Sequence, residues 1–295
     1  MHKLWQKYKT NLSPWFFLLP GLIVFLLFKY YPIILGVVVS FFKFEIMNPP
    51  GDFIGLGNYI RAFNDSGFIR SIKNSFGFLF VIMIFNFWVP ILLAIFVNEI
   101  RNGQKIFRFI YFVPAVIPPV VMAVLWKYIW QPDYGFANYI LNLLNLSPQM
   151  WLNSQVLVKW CMRFPYFIMA GAMSGGIAFI IYLATLHDIP KSQIESSLID
   201  GANFLQRIRY IVLPQILPIV SIMFILTMID VFNYFDEPMI MTGGGPAGST
   251  ETMVMYAFKR AYQGGKYGFG LAISTINLII VFIFTVIQMK FSSND

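Results

Sequence analysis

Residues 74–98 read NSFGFLFVIMIFNFWVPILLAIFVN, twenty-five consecutive positions without one Asp, Glu, Lys or Arg. A bilayer's hydrocarbon core of about 30 Å takes around 20 mostly apolar residues in helical form. Inside it every backbone N–H and C=O needs an internal partner, which a helix provides. The stretch is therefore read as a membrane-spanning helix, and five others of its kind surround it. They cover about Pro14–Phe42, with only Lys29 charged, and about Phe109–Trp130, Phe164–Leu186, Tyr210–Ile229 and Tyr267–Met289. The expectation is an all-α integral membrane protein of about six transmembrane helices. It has a cytoplasmic tail over 1–13, one membrane domain over 14–291 and a second short tail over 292–295.

Composition agrees with that reading. Apolar residues make up 58% of the chain and charged residues 12%, against roughly 45–50% and about 25% in a soluble domain, and no water-soluble core hides such an excess. The single cysteine, Cys161, excludes an intramolecular disulfide framework and a Cys-rich metal site. His2 and His187 have no metal-ligand spacing, so no metal is expected. The net charge of +8 does not gather into the basic, aromatic-interleaved face that nucleic acid requires, and no nucleic-acid partner is expected. The amino-terminal run is too long for a cleaved signal and ends in Phe28-Lys29-Tyr30-Tyr31-Pro32 without a small-residue cleavage site. It reads as an uncleaved anchor.

Cytoplasmic loops carry the Lys/Arg excess. An inside amino terminus places Lys3, Lys7, Lys9, Arg101, Lys105, Arg108, Lys191, Arg207, Arg209 and Lys290 there, and leaves Lys43, Arg61, Arg70, Lys73, Lys259, Arg260 and Lys266 on longer outer segments. Both termini are thus expected in the cytoplasm. Pro20, Pro32, Pro90, Pro114, Pro118, Pro119, Pro214 and Pro218 fall within spans, where neighbouring helices can re-satisfy the freed carbonyls. They predict kinks.

Between the fourth and fifth spans lies the polar stretch 188–206, DIPKSQIESSLIDGANFLQ. Pro190 suits a first helical turn, Gly201 a left-handed helix end, and Asn203 with Gln206 a capping pair for the next helix. Local rules predict a compact projecting hairpin. This stretch resembles the EAA loop of binding-protein-dependent ABC importer permeases, whose pattern is Glu-Ala-Ala, then Asp-Gly-Ala, then a proline in the next helix. Glu195, Asp200, Gly201, Ala202, Pro214 and Pro218 match it, and Ser196-Ser197 replace the two alanines. The small residues keep close packing possible, and their hydroxyls are expected to add hydrogen bonds.

The resemblance implies a type I importer-like permease fold in a prokaryotic cell membrane. It also implies a coupling helix, built on Glu195, Ser196, Ser197, Asp200, Gly201 and Ala202, that sits in a groove of a cytoplasmic ATPase. The implied partners are a second, homologous permease, two ATP-binding-cassette ATPases that hold ATP and Mg, and an extracytoplasmic solute-binding protein. This chain has no Walker-type motif and is expected to hold no cofactor and catalyse nothing. Gly55-Leu56-Gly57-Asn58-Tyr59, residues 107–114 (FRFIYFVP), Met241-Thr242-Gly243-Gly244-Gly245-Pro246 and Ser249-Thr250-Glu251-Thr252 extend the resemblance to the carbohydrate-uptake branch. A permease for another solute (glycerol phosphate, a polyamine or a peptide) and a secondary transporter, which needs no ATPase, stay open as alternatives.

For the substrate pathway, polar residues in or beside a span are costly and so are candidates. The fifth span ends in Asp230, Asn233, Tyr234 and Asp236, with Glu237 next and Phe232 and Phe235 interleaved. Hydrogen-bonding groups beside aromatic faces suit a sugar. The same residues also fit a hydrated, aromatic-belted membrane edge.

Overall fold

In a computed structural model, residues 17–45, 48–100, 103–158, 161 and 174–292 are described. They fall into two compact units, residues 1–64 with 257–276 and residues 65–256 with 277–295.

The first unit opens with α1, Phe17–Val39. Every residue from Phe17 to Leu35 is exposed, a surface at rest in lipid and not in water. A two-stranded antiparallel ribbon follows, β1 Phe42–Glu45 and β2 Asn48–Phe53, with Phe42 opposite Phe53 and Lys43 opposite Asp52. The motif Gly55–Tyr59 then turns into α2, Gly57–Asn64. Its purpose here is structural. Asn58 is buried and its amide donates to the carbonyls of Ser40 and Phe42, both at 2.9 Å, satisfying the end of α1 and the start of the ribbon at once.

The second unit holds α3 Ser66–Glu99, α4 Gln104–Val116, α5 Pro119–Ile129, α6 Phe136–Leu143, α7 Ser174–Asp188 and α8 Lys191–Ile199. Next comes α9, built from Phe204–Arg207, a π turn at Ile208–Val212 and Leu213–Phe232, and then α10, Asp236–Thr242. Asp65 caps α3 by accepting from the amides of Gly67 and Phe68. One apolar cluster joins Phe78 and Ile82 to Trp126, Val231 and Tyr234; another joins Phe87 and Ile91 to Phe179, Tyr182 and Ile216. The last two helices are α11, Met253–Phe258 with a π turn over Lys259–Gln263, and α12, Tyr267–Ser292.

Among the described residues, four helices are long and apolar enough to span a membrane: α1, α3, the run containing α9, and α12. The expected third span, Phe109–Trp130, is instead broken between α4 and α5. Pro118 is extended, with φ −56° and ψ 138°, and Pro119 starts the next helix; a residue before proline is pushed out of the helical region. The start of the expected fourth span lies outside the described residues, as do the tails 1–13 and 293–295.

Three of the prolines share a device. π turns at Leu26–Tyr30, Ile82–Asn86 and Ile208–Val212 immediately precede the segments carrying Pro32, Pro90 and Pro214. A proline clashes with the carbonyl four residues back, here that of Phe28, Asn86 or Tyr210. In each case that residue sits in the wider turn, which closes by a bond five residues long: Tyr31 to Leu26, Phe87 to Ile82 and Leu213 to Ile208.

Candidate coupling hairpin and pathway residues

The stretch 188–206 folds into a hairpin with no loose segment. Pro190 is the N-cap of α8, one position earlier than a first-turn proline. Gly201 has φ +77°, a conformation costing an L side chain about 1–2 kcal/mol. The amide of Gly201 bonds Leu198 O at 3.1 Å and that of Ala202 bonds Ser197 O at 2.9 Å, the paired closure of a Schellman motif. One residue on, Asn203 caps α9 with a full capping box: its Oδ1 accepts from the Gln206 amide at 2.9 Å while Gln206 Oε1 accepts from the Asn203 amide at 2.8 Å.

The hairpin has an anchored side and a bare side. Ile189 is buried, and Ile194, Phe204 and Ile208 pack on the cluster that holds Phe179 and Ile216. Phe204 also stacks on Phe96. Gln215 donates to Gln193 at 2.8 Å, and Arg207 lies 3.5 Å from Glu99; a half-exposed pair of this kind is worth under about 1 kcal/mol. On the other side Glu195, Ser196 and Asp200 are exposed, together with Leu198, Ile199 and Leu205 at 53%, 86% and 73%. Three large apolar side chains exposed on a segment that also exposes Glu195 and Asp200 form a surface of the kind that another protein covers.

The two serines do not serve that surface as hydrogen-bond donors. Ser197 is buried and its hydroxyl donates to Ile194 O at 2.7 Å, while Ser196 donates to Gln193 O at 3.2 Å. Both bonds run back three residues within α8 and satisfy the hydroxyls locally.

The pathway candidates separate. Asp230 and Asn233 are exposed at the end of α9, in line with exposed Ile222 and Leu226 at helical spacing, and Asp236 is exposed at the start of α10. Tyr234 does not join them. It is buried in the Phe78 cluster, its ring edge-on to Phe78 at 5.3 Å, because the chain turns inward between α9 and α10. Phe232 is likewise buried, edge-on to Phe76.

The glycine-rich stretch after α10 is a clasp. Gly243 ends α10 in the left-handed region, Thr242 and Thr250 share a hydroxyl bond of 2.7 Å, and the Thr250 hydroxyl donates to Gly245 O. Asn74 Nδ2 donates to Gly248 O and Glu251 O at 2.8 and 2.9 Å, and Ser75 Oγ accepts from the Met253 amide. Sequence reasoning gave Asn74 no part in this. An Asn beginning an uncharged run was the one signal available.

A model of the family described as "Binding-protein-dependent transport system inner membrane component" matches residues 86–292. The chain is 31% identical to "Probable ABC transporter permease protein YurN" of Bacillus subtilis (strain 168), over 96% of this chain and 97% of that one. It is also 31% identical to "Trehalose/maltose transport system permease protein MalF" of Thermococcus litoralis, over 96% and 95%. Among solved structures, a chain of a bacterial ABC transporter involved in import of the acidic polysaccharide alginate superposes with a TM-score of 0.86 at 24% identity, covering 99% of both chains. That last likeness is one of fold.

Proposed function

The chain belongs to the family of binding-protein-dependent transport system inner membrane components, and we propose that it forms half of the translocation pathway of an ATP-driven importer for a sugar or oligosaccharide. The other half is a second permease of the same kind. The solute arrives on an extracytoplasmic binding protein, and two separate ATPase subunits, with ATP and Mg, drive the cycle. The sugar is supported by the named specificity of the trehalose/maltose relative and by the carbohydrate-branch motifs of the sequence.

The observation that carries the coupling role is the bare side of the hairpin: Glu195 exposed amid Leu198, Ile199 and Leu205 on a segment whose other side is anchored. Such a tip fits a groove on a cytoplasmic ATPase, where Glu195 pairs with a cationic side chain in a partly desolvated contact. Glu195, Ser196, Ser197, Asp200, Gly201 and Ala202 are assigned to it, with both termini in the cytoplasm. ATP closing the ATPase dimer then biases two access states of the permease. Asp230, Asn233 and Asp236 are assigned to the pathway, without Tyr234.

The test is Glu195→Lys in the transporter reconstituted with its binding protein. Uptake is expected to fall by at least tenfold while the protein still reaches the membrane and ATP is still hydrolysed. Uptake at the unsubstituted rate removes Glu195 from coupling.

A further inference from the structure

Beside the hairpin, α4 and α7 flank an open pocket of about 400 Å³ lined by Arg108, Phe109, Phe112, Ile180, Leu183, Ala184 and His187. On α4 the contributing residues stand at i, i+1 and i+4, and on α7 at i, i+3, i+4 and i+7, so each helix offers one face. Five of the seven lining residues are apolar, which decides against a small hydrophilic guest. The two polar ones stand at the same end: Arg108 directly before the sequence-expected third span and His187 directly after the fourth.

Arg108 has an unmet need there. Its Nη2 donates to His187 Nε2, since a guanidinium has no acceptor to offer, and that partner leaves the positive charge uncompensated. Its Nε is buried without any hydrogen-bond partner, a costly state for a charged donor. Among the described residues no carboxylate lies within ion-pair distance of it. A fixed cation at a membrane edge, opening onto apolar walls, is complementary to a molecule with a phosphate at one end and hydrocarbon at the other.

We propose that this pocket binds an anionic phospholipid, its phosphate on the Arg108 fork and an acyl chain along Phe109, Phe112, Ile180 and Leu183. The site requires the chain to lie in a membrane but not any particular solute, so its failure and that of the import reading are separable. A free phosphate would use the cation and leave the apolar walls bare.

The test uses the full chain in the complex it forms, reconstituted in phosphatidylcholine vesicles containing a photoactivatable phosphatidylglycerol, with adducts mapped by peptide. Adducts are expected on residues 104–116 and 177–188. They should be displaced by unlabelled phosphatidylglycerol but not by phosphatidylcholine or inorganic phosphate, and reduced about fivefold in Arg108→Gln, the effect of one basic side chain at a membrane surface. Equal labelling from a phosphatidylcholine analogue, displacement by phosphate, no adduct on these helices, or undiminished labelling in Arg108→Gln each overturns the proposal. The headgroup comparison needs no substitution and stands even where Arg108→Gln fails to assemble.

Discussion

At the scale of single residues, Gly201 is the position with least latitude in the hairpin. Its φ of +77° strains any other residue, most of all a β-branched one. Gly201→Val is expected to weaken the joint by about 1–2 kcal/mol, leaving insertion intact and lowering uptake more than ATP hydrolysis; the two rates measured on one proteoliposome sample give the ratio. This position was legible in the sequence, because glycine after a helix-length segment has a known conformational reason. Tyr234 was not. Its neighbours Asn233 and Asp236 suggested an exposed polar cluster, but a ring's burial depends on Phe78, more than 150 positions earlier, and on Trp126. No local pattern encodes those contacts. Asn58 and Asn74 show the same limit: each is a clamp on backbone carbonyls elsewhere in the chain, and an asparagine's sequence neighbours do not reveal which carbonyls it will reach.

At the scale of elements, the capping box at Asn203 and Gln206 was readable as a four-residue pattern and folds as read. Asn203→Ala removes the side-chain half of it and should cost about 1 kcal/mol, seen as roughly fivefold faster hydrogen exchange at the amides of residues 205–206 with little change in α12. The π turns could not be read, although the prolines that require them could. Sequence marks where a carbonyl four residues back will be displaced, but whether the helix answers by breaking, as at Pro118, or by widening, as before Pro32, Pro90 and Pro214, depends on packing. At Pro118 a second proline follows directly and helical continuation fails twice over.

At the scale of the whole molecule, the membrane class and the hairpin's place between two apolar helices, α7 and α9, were legible because they rest on runs of composition, not on contacts. The third span came out broken for the proline reason just given, and the start of the fourth lies outside the described residues. Sidedness can be checked directly. Cys161 is buried, at 2% exposure, so it should stay silent to impermeant thiol reagents. A cysteine at Glu195 should label only from the cytoplasmic side, and one at exposed Asp52 only from outside; the reverse pattern inverts the topology. The hairpin's joint carries one more implication. Residues 200–203 are all that separates α8 from α9, and each of their four amides is bonded: Asp200 to Ser196, Gly201 to Leu198, Ala202 to Ser197 and Asn203 to Gln206. A joint so fully bonded leaves little play, so a push at the tip would be passed on to α9, whose first irregular rung is the widened turn at Tyr210 ahead of Pro214. If the hairpin is the driven element, bending of α9 is expected near residue 210, ahead of Pro218.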